Sequence, residues 1–280
     1  MLDLMIPPIA AALIILSIHA YLGLHVIARE VIFIDLAFAQ IAALGTTVAL
    51  LMGIEPSTTT SLLFAFGFTV LGALLFSMTR MEKSIVPQEA IIGVSYVVAS
   101  AAVILLASLT AEGSEHLQEM LTGTLIWVSW PAIGKMASAY VAVGLVHYLL
   151  RRKFLALTFA PERVGNIRLW DFVFYVTFGI VISLSVEIAG VLMVFTALVI
   201  PAVIAFLYTN RFGLALFIAW GAGTASILSG IGASFYWDLA TGPLLVCTFG
   251  VSLILAAVLR PVLGIRPGRK IIVASLEQGD

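Results

Sequence analysis

Asp171 to Tyr208 reads DFVFYVTFGIVISLSVEIAGVLMVFTALVIPAVIAFLY, a run in which Glu187 is the only charged residue after Asp171. As one unbroken helix it would extend roughly 57 Å at 1.5 Å per residue, nearly twice a hydrocarbon layer of about 30 Å. The run therefore needs a reversal, and Glu187 with Gly190 marks the place. Read as a hairpin, it brings the chain to nine membrane spans; read as a kink, to eight.

The rest of the chain has the same character. Of its 280 residues 62% are hydrophobic and only 10% charged, more apolar surface than a soluble domain of this length could bury. The fold class is thus an all-α polytopic membrane protein of eight to nine transmembrane helices. Spans fall near 5–27, 31–53, 60–79, 88–109, 132–150, 170–186, 188–208, 212–232 and 242–263. The opening stretch lacks a basic n-region and a small-residue cleavage site and reads as a retained first span. With no internal repeat and no extended linker, residues 1–280 form a single membrane domain. Cys247 is the one cysteine, which excludes a disulfide framework or a thiolate metal cluster.

Just before the long run lies Arg151 to Trp170, RRKFLALTFAPERVGNIRLW, a polar break carrying Arg151, Arg152, Lys153, Arg163 and Arg168. Short loops rich in Lys and Arg stay cytoplasmic, so this loop orients the chain. With it inside, thirteen of the fourteen basic residues fall inside and only Lys135 outside. The N-terminus is then outside, the C-terminus cytoplasmic, and the acidic break with Glu112, Glu115 and Glu119 faces outward. Leu121 to Trp130, too short to span, suits an outer interfacial segment in which Trp127 and Trp130 lie at headgroup level. In the eighth span Gly221, Ala225, Ser229 and Ala233 form a small-residue stripe, read first as intramolecular packing and second as a subunit interface.

There is no GxxxxGK[ST] run and no HExxH, so the chain carries neither a phosphate loop nor a zinc-protease helix. No nucleophile–base or metal-ligand pairing is visible, which counts against an intramembrane enzyme. Energy for uphill transport must come from a partner or an ion gradient. Ionisable residues within spans cost about 2.5–3.5 kcal/mol at a helix centre, so each is a candidate functional group. Asp35 and Gln40 share the second span but sit about 140° apart around it. Asp35 reads either as a residue of a transport path or as a structural partner for Arg29 or a neighbouring helix. Glu187 faces an outer vestibule or is a solvated turn. His19 and His25 read as hydrogen-bonded packing, His116 with Glu115 and Glu119 as a solvated loop, and Asp238 as a cap or turn.

Several stretches resemble the integral membrane permease of ABC importers for divalent metals, the zinc and manganese permease family. They are Arg29–Gly45 (REVIFIDLAFAQIAALG), Gln88–Gly93 (QEAIIG), Leu121–Ser129 (LTGTLIWVS), Ala189–Ala202 (AGVLMVFTALVIPA) and Asp238–Val246 (DLATGPLLV), in the expected order. The resemblance implies a vitamin-B12-importer-like (type II ABC importer) permease fold in a prokaryotic plasma (inner) membrane. It implies a non-catalytic chain, a homodimer in membrane lipid, and partners in an ABC ATPase that uses ATP and Mg and an extracellular or periplasmic metal-binding protein. No cofactor of its own and no nucleic acid are expected. The cargo is a divalent transition metal: zinc, manganese or iron. Leu157–Glu162, LTFAPE, matches the family's coupling helix, assigning ATPase coupling to Leu157, Thr158, Phe159, Pro161 and Glu162. The family's Asp and His in the second span align here with Leu36 and Gln40, and its usual Pro with Leu44. The metal ligands therefore do not carry over; Asp35 is a candidate replacement, with Gln40 and Glu187 along the path. The competing reading is an ion-coupled secondary transporter using Asp35 and Glu187.

Overall fold

The computed structural model describes residues 2–55, 58–80, 85–109, 118, 120–265 and 273. Among these, nine α-helices follow one another: α1 Leu2–Ala28, α2 Ile34–Leu51, α3 Thr59–Thr79, α4 Gln88–Ala107, α5 Trp130–Leu149, α6 Arg151–Phe159, α7 Ile167–Tyr208, α8 Phe212–Trp237 and α9 Thr241–Val262. Single 3₁₀ turns lie at Leu125–Trp127 and Pro161–Arg163. All the α-helices except the nine-residue α6 are long and apolar enough to cross a membrane. Local chemistry sets several boundaries. Thr58 caps α3 by accepting the Ser61 N–H, Ser129 caps α5 by accepting the Ala132 N–H, and Asp238 closes α8 in the left-handed region at φ 51°.

The 42 residues of α7 hold two crossings. Phe174, near its start, and Phe212, just past its end, both abut His25, with ring centroids 5.7 and 5.4 Å away. A straight helix would separate them by roughly 57 Å, so the chain turns back. The turn is at Gly190, φ 76° and ψ 158°, a conformation essentially restricted to glycine. Gly123, φ 70°, sits against it backbone to backbone, and the Thr124 N–H donates to the Ile188 carbonyl at 3.1 Å. A Cβ on either glycine would collide with the other segment's main chain. The interfacial segment around Leu121–Trp127 is thus pinned onto the bend, and the hairpin expected at Glu187–Gly190 is present.

From these contacts the course of the chain follows. α1 runs from the bend's face to the opposite one, where Ala28 lies close to α6; that face, which holds the Arg151–Arg168 loop, is called the basic face below. Each later span alternates, and both arms of α7, 167–189 and 191–208, have their free ends at the basic face. The interior is aromatic where α2, α3 and α7 meet: Phe38 and Phe76 stand edge to face at 5.3 Å, with Tyr175 and Phe178 around them.

One expectation fails here. Gly221, Ala225 and Ser229 are exposed along α8 and Ala233 is half-buried, so the stripe is not the packed face. The packed face is offset and carries Gly223 against Leu16 and Gly230 against Leu245 and Thr248. Spacing of four marks a helix face without saying which neighbour, if any, covers it.

Candidate functional site

At the basic face one buried acid gathers the ends of three helices. Asp171, fully buried in the first turns of α7, accepts from Arg29 Nη1 at 3.1 Å and from Arg80 Nη1 at 2.8 and 2.9 Å. Arg29 closes α1 and Arg80 closes α3. Arg29 Nε also donates to Thr158 Oγ1 at 3.0 Å, where His25 Nδ1 sits at 2.7 Å, and Arg80 Nη2 donates to the Leu157 carbonyl at 3.3 Å. The Arg29 guanidinium lies 4.1 Å from the Phe174 ring centre. Burial lowers its pKa from the ordinary arginine value, while Tyr175 and Asp171 pull it back up. Two guanidiniums on one carboxylate leave this cluster net positive.

The cluster decides how the LTFAPE stretch is presented. Leu157 and Thr158 end α6 facing inward and are buried; Phe159 packs on His25 and Phe212. The helix breaks at Ala160 (φ −147°, ψ 59°), and the following 3₁₀ turn leaves Glu162 and Arg163 exposed and Pro161 half-buried. The stretch is therefore two pieces: an anchor made of Leu157, Thr158 and Phe159, and an exposed knob made of Pro161 to Arg163.

Asp35 is not Arg29's partner, because Asp171 holds that place. Asp35 lies in the first turn of α2, buried, with Oδ1 accepting the Leu36 N–H at 2.8 Å. Gln40, also buried, lies roughly 7.5 Å farther along the axis. Glu187 lies at the other membrane face, exposed beside the α7 bend. It lines a cavity of about 330 Å³ together with Lys135, Thr124, Trp127 and Ser129. The structure brings Glu187 together with Lys135 and does not bring it together with Asp35. No group of three or more His, Cys, Asp or Glu that could hold a metal occurs among the described residues. The His116–Glu115–Glu119 loop lies outside the described residues.

Between the faces runs a buried polar seam. His19 has Nδ1 at 2.8 Å from the Ile15 carbonyl and Nε2 at 3.3 Å from Ser185 Oγ, which also bonds Tyr140 Oη. His147 bridges Tyr21 Oη at 3.3 Å and Thr177 Oγ1 at 2.9 Å and stacks on Phe154 at 4.2 Å. Their ring nitrogens have partners, as expected of packing histidines.

A family model described as the ABC 3 transport family matches residues 1–260. The chain belongs to the ABC 3 transport family. A manganese transport system membrane protein, MntB of Synechocystis, is 28% identical over 72% of this chain and 65% of its own length. MntC of Halalkalibacterium halodurans, of the same description, is 23% identical over 92% of this chain and 87% of its own. The solved structure described as PsaBC from Streptococcus pneumoniae in complex with Fab superposes with a TM-score of 0.73 over 89% of both chains at 18% identity. That likeness shows that this ABC 3 chain shares the fold of that structure.

Within this ABC 3 chain, sequence reasoning missed Asp171, Arg80, Glu89 and His147. Asp171 had a signal: it is the one acid abutting the apolar run on the side of a loop with five basic residues. Glu89 lies in the QEAIIG stretch but no role was read for it, and Arg80 had no signal, since its partners lie far away in sequence. His147 sits at the end of a span where a single His carries no pattern.

Proposed function

We propose that this chain is the permease subunit of an ATP-driven importer for a divalent transition metal, forming the path across the membrane while a separate ATPase hydrolyses ATP. The observation that carries this reading is the division of LTFAPE into a buried anchor and an exposed knob. A knob held by a buried ion cluster to the ends of α1, α3 and α7 can transmit a push from a docked ATPase into three spans at once. Pro161, Glu162 and Arg163 are the surface offered to the ATPase; Leu157, Thr158 and Phe159 are its attachment to the bundle. The positive-inside rule puts that face in the cytoplasm of a prokaryotic cell, with the N-terminus and the Glu187 cavity outside. There a separate binding protein would deliver metal.

The metal is inferred from the family and from relatives named for manganese transport. Along α2 the side chains offer oxygen, from Asp35 and Gln40, whereas the family's positions, here Leu36 and Gln40, hold Asp and His. Oxygen donors suit manganese or ferrous iron at least as well as zinc, which favours imidazole and thiolate. A second copy of the chain is the expected partner within the membrane, and the exposed small-residue face of α8 is a surface on which two helices can approach closely. An ion-coupled carrier relaying protons through Asp35 and Glu187 has no geometric support, since the two residues lie at opposite faces.

The test is ATP-dependent uptake into vesicles containing this chain, its ATPase and its binding protein. Radioactive zinc is the tracer and manganese and ferrous iron the competitors. Uptake that needs ATP and is competed by manganese or iron fits the oxygen-lined path. Uptake without the ATPase, driven by a proton gradient, refutes the importer reading.

A further inference from the structure

Two carboxylates bond the backbone at the start of α2. Asp35 is 1% exposed; Oδ1 accepts the Leu36 N–H at 2.8 Å, and Oδ2 is buried with no hydrogen-bond partner. Glu89, in the first turn of α4, reaches the same turn of α2. Its Oε1 accepts the Phe33 N–H at 3.0 Å, and its Oε2 is likewise buried with no partner. The arginines of the basic-face cluster are engaged elsewhere, Arg29 with Asp171 and Thr158, Arg80 with Asp171 and the Leu157 carbonyl. The N-terminal dipole of α2 amounts to roughly half a positive charge, too little to balance two carboxylates. Asp35 is wholly buried and Glu89 half-buried; a buried ionised group without a countercharge is strongly unfavourable, and a bound cation would stabilise the ionised form of both.

We propose that Asp35 and Glu89 together form a divalent-cation site at the basic-face end of α2 and α4, each giving the oxygen now unpartnered, with water completing the shell. This rests on the importer reading and deepens it, since the site would be the last station before release. An all-oxygen pair completed by water matches cations of the magnesium and manganese type, which keep several waters and use one or two carboxylates. Two protein ligands also hold a metal loosely, as a station on a path must. Neither backbone hydrogen bond has to break, because each carboxylate uses one oxygen for the α2 turn and has the other free.

Manganese(II) is the probe. The full-length chain in phosphatidylcholine nanodiscs, which lack anionic headgroups, is titrated with manganese and the free ion read by electron paramagnetic resonance. Wild type is compared with Asp35→Asn, Glu89→Gln and the double variant. Both amides retain a carbonyl oxygen for the backbone N–H, so α2 keeps its first turn. Each single variant is expected to lose one bound manganese per chain, or to bind it at least tenfold more weakly, and the double variant to lose no more. Equal binding in wild type and both single variants, or no manganese bound by wild type, overturns the site. Uptake in the ATPase-containing vesicles separates this from the importer reading. ATP-driven uptake unchanged by Glu89→Gln sinks the site and leaves the importer standing. Wild type with no ATP-driven uptake that still loses manganese on Glu89→Gln sinks the importer and leaves the cation site.

Discussion

Asp171→Ala is the sharpest probe of the basic-face cluster. The side chain is wholly buried and accepts three contacts of 2.8–3.1 Å from two guanidiniums. Truncation leaves Arg29, whose side chain is only 4% exposed, inside the protein with its charge uncompensated. Removing one partner of a buried pair costs about 3–5 kcal/mol. Arg80 is 19% exposed and recovers part of its loss in water, so it adds less. Arg29 keeps Thr158 and the Phe174 face, which places the expected total near the middle of that range, about 4 kcal/mol. The assay is unfolding of the purified chain in mixed micelles titrated with a denaturing detergent, alongside Asp171→Asn and the double variant Asp171→Leu/Arg29→Leu. Asn retains an acceptor and should cost less than Ala; the double variant removes the stranded charge and should recover much of the loss. A cost below about 1 kcal/mol for Ala, or a double variant worse than Ala alone, would refute the claim that Asp171 neutralises a buried cluster.

Further outcomes follow from the same geometry. Gly190→Ala forces a positive φ and drives a Cβ into the Gly123 main chain. It should destabilise by at least about 1–3 kcal/mol and free Trp127 from its fixed setting, read as a shift in tryptophan emission. Glu162→Arg alters only the exposed knob, so ATPase co-purification should fall at least tenfold while the unfolding curve stays within about 0.5 kcal/mol of wild type; retained ATPase binding would remove the knob from the docking surface. Asp35→Asn should depress metal uptake severalfold while leaving ATPase assembly intact, and wild-type uptake would make Asp35 a purely structural residue. His147→Phe removes the bonds to Tyr21 and Thr177 while keeping the stack on Phe154. It should cost about 1–2 kcal/mol in the same unfolding assay.

Much of the architecture is legible in the residues because a membrane imposes local rules. Span lengths follow from bilayer thickness, and the reversal within 171–208 follows from a helix that would otherwise overshoot it. Glycine at the bend and the aromatic segment at 121–130 announce themselves by composition. The loop from Arg151 to Arg168 is legible for the same reason, being polar and basic where the spans around it are apolar, and LTFAPE within it by its resemblance to the family's coupling helix.

What the stretch does with each side chain is not legible. Leu157 and Thr158 turn inward because Arg29, His25 and Arg80 hold them, and those partners lie 77 to 133 residues away. Likewise Asp171 takes Arg29 from 142 residues away, and Glu89 reaches the Phe33 N–H at the start of α2 across 56 residues of sequence. Hydropathy and length are sums over neighbours in the chain, so the sequence alone determined a polytopic helical membrane protein, its reversal and its polar loops. Charge pairing in a buried medium depends on which ends of helices pack together, and only the tertiary structure decided that.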